Sequence, residues 1–380
     1  MIKGVNLSLM IGPLVPIPAP RAVIEALNEV TVTVNDVGKS GFQLSFTLST
    51  HSPLHTLFLL TAGASPLPTL RVIIIATVNG MPNVLMDGVV TQQQIQPGTD
   101  AGHATLNITG EDLSVLMDQA DFSGFPFPAV PAEGRVALLV AKYAFLGLLP
   151  LVIPSVLIDI TLPTTRIDTQ KGTDLAYIKH LATRVGYVFY VEPGPVPGMS
   201  IAYWGPQIKV GVPQPALNIN MDAHTNVESL SFAYDSTPIA IPTVYYYNEL
   251  TKAVIPIPIP PVSPLNPPLG LIQPLPILPP VLAPVRDDLS KRTLPQAIMI
   301  GLAKVAQSSE AVTGQGELNV LRYGRALKAR QLVGVRGAGM AFDGLHYVKS
   351  VTHKIKRGEY KQSFKLSRNG LISITPRVPV

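Results

Sequence analysis

Leu332-Val-Gly-Val-Arg336, Gly337-Ala-Gly339, Asp343-Gly344, His346 to Ile355, Arg357-Gly358 and Tyr360-Lys-Gln-Ser-Phe-Lys-Leu366 follow one another in the chain. The apolar runs read as strands and the glycine pairs as the turns between them. In the last hairpin Tyr360, Phe364 and Leu366 fall on one face. Lys361, Ser363, Lys365 and Ser367 fall on the other. Period-two alternation of this kind describes a sheet with one face on a core and a polar, basic face outward.

The same pattern recurs towards the N-terminus. Glu29-Val-Thr-Val-Thr-Val-Asn35 alternates, Asp36-Val-Gly-Lys39 turns, and Phe42-Gln-Leu-Ser-Phe-Thr-Leu48 alternates again. Leu70 to Val78 is a nearly continuous apolar strand ending on Asn79-Gly80, a hairpin signal. Val84 to Val90 and Ala104 to Ile108 follow, and Thr109-Gly-Glu-Asp112 opens a short helix through Met117. Short antiparallel strands at this spacing imply a barrel or sandwich.

Between the two β regions lies a helical unit. Pro131 to Gly147 reads as a helix, and Thr173 as the N-cap of a second. The second carries Leu175, Ile178, Leu181, Ala182 and Val185 as its apolar stripe and ends at Gly186. Tyr187 to Val191 and Ser200 to Trp204 make a hairpin around a turn at Gly194 to Gly198. Residues 253–285 hold 12 prolines and no charged side chain. Proline removes ladder donors, so an extended, polyproline-like arm packed on a surface is expected there rather than regular sheet. Thr293-Leu-Pro-Gln then starts a helix running to about Ser308. The expected organisation is a first β region (1–130), a small α+β peripheral domain (131–215), joining strands (216–252), the proline-rich arm (253–289), and a helix with a second β region (290–380). The fold class is mainly β, of the α+β kind.

Composition narrows the function. At 380 residues with 47% hydrophobic side chains, two or three cored domains are expected. Charged residues make up only 14%, which suits a surface covered by partners. The most apolar stretch, Val136 to Ile153, contains Lys142 and Pro150 and is no membrane span. The apolar start after Lys3 is broken by Gly12, Pro13, Pro16 and Pro18 and does not read as a signal peptide, so synthesis in the cytoplasm is expected. With no cysteine, disulfides and thiolate metal sites are excluded. From Ser290 onward there are 16 Lys/Arg against 4 Asp/Glu, whereas the whole chain carries +5. A basic region can meet nucleic acid. Because these cations alternate along strands, pairing with the acidic part of a neighbouring copy is the preferred reading.

Catalytic and ligand motifs are thin. His51 and His55 have a ligand spacing but Pro53 lies between them. His346 and His353 fall on opposite faces of one regular strand and so could not share a metal. Gly334-Val-Arg-Gly-Ala-Gly339 is not the dinucleotide fingerprint and reads as a bulge and turn. Glu111-Asp112 and Asp287-Asp288 sit where helix starts favour carboxylates. Trp204 with Tyr187, Phe189 and Tyr190 suits either a sugar platform or a domain core. No catalytic residue, cofactor or metal site is assigned, and the chain is read as non-enzymatic.

An ordered set of segments resembles a known family. Leu321-Arg-Tyr-Gly-Arg325, Ala329-Arg330, Val333-Gly-Val-Arg336, Asp343-Gly344, Tyr347-Val348, Ser350-Val-Thr-His353 and Gly358-Glu-Tyr-Lys-Gln-Ser-Phe364 run in the order seen in hub proteins of contractile tails. Gly172-Thr-Asp-Leu-Ala-Tyr-Ile178 and Gly186-Tyr-Val-Phe-Tyr190 are similar to that family's small second domain. The family is the phage late control protein D group, with related hubs of contractile injection systems and the N-terminal half of the type VI secretion spike protein. The resemblance implies two tube-like barrels per chain and a homotrimer that joins a sixfold inner tube to a threefold spike. It also implies spike, inner tube and baseplate proteins as partners, with nucleic acid only passing through the channel. No β-helical spike extension is recognised, so the spike is expected to be a separate protein. The expected contact or lumen face comprises Arg322, Arg325, Lys354, Lys356, Arg357, Lys361 and Lys365. A cell-wall-active or carbohydrate-binding β protein of a tail particle is the alternative, and a phage tail and an injection particle are equally compatible.

Overall fold

A computed structural model describes residues 4–49, 70–97, 103–155, 167–235, 241–248, 252–259, 267–272, 282–284, 294–308 and 310–375. The first β region contains β1 (Val5–Gly12), β2 (Ile17–Pro18), β3 (Leu27–Asn35), β4 (Gly41–Ser49), β5 (Arg71–Val78), β6 (Met81–Pro97) and β7 (His103–Asp112). Asn79 and Gly80 turn β5 into β6 with positive φ at both, as a two-residue hairpin requires. Asp112 caps a short 3-10 helix, Leu113–Asp118, by accepting from the Ser114 amide.

The peripheral unit follows. It holds β8 (Pro126–Phe127), the helix Ala132–Ala141, β9 (Leu148–Val152), β10 (Asp168–Thr169), the helix Asp174–Val185, β11 (Val188–Pro193) and β12 (Ser200–Gly205). The first helix is shorter than expected. It stops at Ala141, and a separate 3-10 turn, Ala144–Leu146, closes on left-handed Gly147. The second helix has the expected ends: the Thr173 hydroxyl accepts from the Ala176 amide and Gly186 is left-handed. Trp204 is fully buried and meets Tyr187 edge-on, so these aromatics form the unit's core and not a sugar platform.

The second β region contains β13 (Gln214–Asn218), β14 (Val227–Tyr234), β15 (Ile241–Asn248), β16 (Ala253–Pro258), β17 (Gly270–Ile272) and β18 (Leu282–Pro284). The helix Leu294–Ser308, β19 (Val312–Asn319), a helical turn Val320–Tyr323, β20 (Leu332–Arg336), β21 (Gly344–Lys356), β22 (Glu359–Arg368) and β23 (Leu371–Ser373) complete it. The expectation of no regular sheet in the proline-rich arm is corrected: β16, β17 and β18 all lie within it. β16 is tolerated because it is an edge strand of the order β16-β15-β18. Pro256 and Pro258 sit two residues apart opposite Tyr245 and Thr243, so the strand's missing donors fall on one side. Thr293, His51, His55, Asp287 and Asp288 lie outside the described residues.

Thirteen strands form one sheet whose main path runs β14-β19-β22-β21-β3-β4-β7-β6-β5-β1-β2. The mainly β expectation holds. Among the described residues no strand pairing that would close either half into a barrel is present. One apolar core draws on both halves, from Val5 and Leu44 to Val351 and Leu366. The peripheral unit has its own, which includes Val136, Leu139, Ile178 and Trp204.

The halves repeat one plan. β3, β4, β7 and β6 stand side by side, as do β14, β19, β22 and β21, and β5 and β20 extend β6 and β21 in the same way. Each long strand breaks register at the corresponding place, between Val90 and Gln92 and between Val348 and Ser350. In each case the extra residue, Thr91 or Lys349, is a β-bulge. The bulge overturns the expected placement of the histidines. It flips the alternation, so His346 and His353 share a face. They remain six pleats apart, roughly 20 Å at about 3.3 Å per residue.

Two buried arginines tie the peripheral unit to the sheet. Arg71 donates twice to Asp87 at 2.7 and 2.6 Å and once each to the Leu14 and Gly198 carbonyls. The Ser200 hydroxyl donates to the same Asp87 at 2.9 Å. Arg330 donates to the Asn35 carbonyl and Ser40, reaches Glu192, and lies 3.8 Å over the Tyr190 ring. Either charge left without its partners would cost several kcal/mol, about 3–5.

Candidate functional site

The feature with functional geometry is the solvent face of the sheet between β14 and β6. Rows of polar side chains run across it in register. One row passes from Asn319 through Lys361, Lys354, Thr31, Gln43 and Thr109 to Gln92. A second passes from Ser229 through Glu317, Ser363, Thr352 and Thr33 to Gly41 and Glu111. A third joins Glu359, Lys356, Glu29, Ser45, Asn107 and Gln94. Eight strands spaced about 4.8 Å apart make this face roughly 34 Å wide. The opposite face of the same strands is apolar and buried, with Phe42, Leu44, Phe46, Val351, Phe364 and Leu366 in the core.

Three of the face's four lysines are compensated within the chain, by carboxylates of this copy and not of the neighbour that was expected to supply them. Lys354 and Lys356 approach Glu29 at 3.6 and 3.4 Å. Lys361 pairs with Glu228 at 2.8 Å and with Glu359 at 3.4 Å. These contacts raise the Lys361 amine above its usual pKa. Such exposed pairs contribute little stability, because solvent screens them and ordering the side chains costs entropy. Their effect is on the field, since pairing leaves few uncompensated cations. Glu29 was the missing partner: it belongs to a strand far away in sequence and reaches Lys354 only because β3 pairs with β21.

Of the expected contact residues, the structure brings Lys354, Lys356, Lys361 and Lys365 together on the polar face. Lys365 lies opposite Gln315 and Ser350. Arg357 sits in the β21–β22 turn and donates to the Glu25 carbonyl. Arg322 and Arg325 leave the face altogether and stand exposed beyond the end of β19. Among the described residues no group of three or more His, Cys, Asp or Glu could hold a metal. Among the described residues no helix is long and apolar enough to cross a membrane. Asp112 is buried, and burial pushes its carboxyl above the usual range; it serves as the 3-10 cap, while Glu111 pairs with Lys39 at 3.0 Å.

No protein-family model matches the sequence, and no curated protein matches it. Solved structures do match the fold. The tail protein from Neisseria meningitidis MC58 superposes with a TM-score of 0.61 at 15% identity, covering 97% of this chain and 98% of that one. The 43 kDa tail protein of prophage MuSo2 from Shewanella oneidensis gives 0.60 at 11% identity, covering 96% and 98%. The E. coli c3393 protein, a type VI secretion component similar to T4 tail proteins gp27 and gp5, gives 0.54 at 10% identity, covering 93% and 75%. At such identities the likeness is one of fold: this chain has the fold of phage tail proteins and of a type VI secretion component, over nearly its whole length.

Proposed function

We propose that the chain is a non-enzymatic structural hub of a contractile tail or injection particle, a homotrimer that joins a sixfold inner tube to a threefold spike. The observation that carries this is an unfinished repeat. Beyond its bulge, β21 pairs with β3, the first strand of the other quartet. Beyond the matching bulge in β6, residues 91–97 pair, among the described residues, with β7 alone, which leaves their other edge open there. Among the described residues the opposite end of the path, β14, is open as well, and β14 is the counterpart of β3. A second copy's β14 therefore fits the open part of β6 as β3 fits β21. Three copies joined in this way give a ring of six like quartets, with threefold symmetry at the peripheral units and near-sixfold symmetry at the strands.

The polar face supports the same reading, because a ring curved about its buried core side would present continuous polar rows along one surface. In this proposal the two tube-like units are drawn from residues 1–130 and from 216–252 with 290–380. Residues 131–215 form the peripheral domain and 253–289 the arm. Spike, inner tube and other baseplate proteins are the partners, and the assembled particle is the location.

Native mass spectrometry of the purified chain, alone and with the spike protein of the same particle, tests the proposal. A trimer that takes up the spike is expected. A chain that stays monomeric at micromolar concentration and never joins the spike would contradict it.

A further inference from the structure

The connection after β19 carries three cations close together without an ion pair, whereas of the polar face's Lys354, Lys356, Lys361 and Lys365 only Lys365 has none among the described residues. Arg322, Arg325 and Lys328 are all exposed, and among the described residues none of them has an ion pair. The lysines of the polar face nearest to them, Lys354 and Lys361, are both compensated.

The backbone beneath these three cations is held on every side. The Asn319 side chain accepts from the Leu321 and Arg322 amides. Asn79, in the β5–β6 turn, donates to the Gly324 carbonyl at 3.0 Å. Buried Gln362 both accepts from the Leu327 amide and donates to its carbonyl. Gln214 does the same at Lys328. The Tyr323 hydroxyl donates to the Pro215 carbonyl at 2.6 Å. A segment fixed this firmly presents its cations with a set spacing, which lowers the ordering cost of binding fixed carboxylates.

The position in the repeat selects the partner. β4 is the counterpart of β19, and the stretch that follows it, residues 50–69, contains no Lys, Arg, Asp or Glu. The cationic ridge therefore occurs once per chain and not once per quartet. On a trimeric ring it appears three times, so a threefold partner can meet every ridge while a sixfold partner meets cations at alternate positions only. We propose that Arg322, Arg325 and Lys328 form the docking ridge for an acidic surface on the threefold spike. This rests on the trimeric reading above and adds to it the end of the ring, and the residues, by which the spike is held.

The test uses the full chain, its Arg322→Glu, Arg325→Glu, Lys328→Glu triple variant, and a triple Gln variant in case the reversed charges impair folding. Binding is measured to the purified spike protein of the same particle, to its purified tube protein, and to a short DNA duplex, across a salt series. The expected result is at least about a tenfold weaker affinity for the spike in both variants, with a shallower salt dependence and unchanged tube binding. Unchanged spike affinity in variants that still form trimers overturns the ridge and leaves the hub standing. Loss of duplex binding alone, or of tube binding alone, also overturns it. A wild-type chain that does not trimerise refutes the hub reading instead.

Discussion

At the scale of single residues, the interior of the second half is organised by an uncharged polar cluster. His353 Nδ1 lies 2.8 Å from the Tyr360 hydroxyl and 3.1 Å from the Gln362 amide nitrogen. With two donors aimed at Nδ1, the proton of the neutral ring sits on Nε2. Burial pushes the His353 pKa down to about 4 and that of His346 to about 3, with the Arg368 charge adding to the second shift. Both groups have native values below the unfolded value near 6.5, so the unfolded chain binds more protons as pH falls. Their contribution to stability is complete above about pH 6.5 and is lost as pH drops towards 4. The thermal midpoint should fall over that window, and by less in a His353→Gln variant. Equal losses in both proteins would contradict the role given to His353. Alternation in the sequence placed Lys361 and Lys365 outside and Phe364 and Leu366 inside. It gave no sign that Arg71, Arg330 and Arg368 are buried, because their partners are backbone carbonyls and carboxylates brought in from other elements.

At the scale of elements, the close approach of β14 and β22 to β19 depends on glycines in β19 facing backbone and aromatic rings. A Cβ on Gly316 would lie 2.4 Å from the Ser229 carbonyl oxygen and 2.7 Å from the Phe364 ring, and one on Gly314 would lie 2.6 Å from the Phe232 ring. The Ser229 oxygen is backbone and cannot turn aside. Gly316→Ala should therefore destabilise the fold by about 1–3 kcal/mol, read as a lower denaturant midpoint. A midpoint that stays the same or rises would show that β14 can shift away. The strands β3 to β5, the β5–β6 turn and the caps of the helix Asp174–Val185 were legible because alternation, Asn79-Gly80, Thr173 and Gly186 are local signals. The bulge at Lys349 was legible only in hindsight: inward residues change from Val348 to Val351, His353 and Ile355, a slip in phase that also moves His353 to the face of His346. The strands of the proline-rich arm were hidden because proline's cost depends on whether a strand is at an edge, which is a property of the sheet and not of the segment.

At the scale of the molecule, neither the long-range join between β21 and β3 nor the compensation of the polar face could be read from spacing, since Glu29 and Lys354 are far apart in sequence. Once present, that join defines the contact that should recur between copies. Matching the quartets through their bulges places Gln92 opposite the partner copy's Asp235, Gln94 opposite its Ala233 and Gln96 opposite its Ser231. The natural chain has no cysteine, so Gln94→Cys with Ala233→Cys introduces the only thiols. Facing residues on paired strands lie within disulfide reach. Oxidising this double variant should yield covalently closed trimers, and each single variant should not. Absence of linked species, or linkage confined within one chain, would contradict the ring.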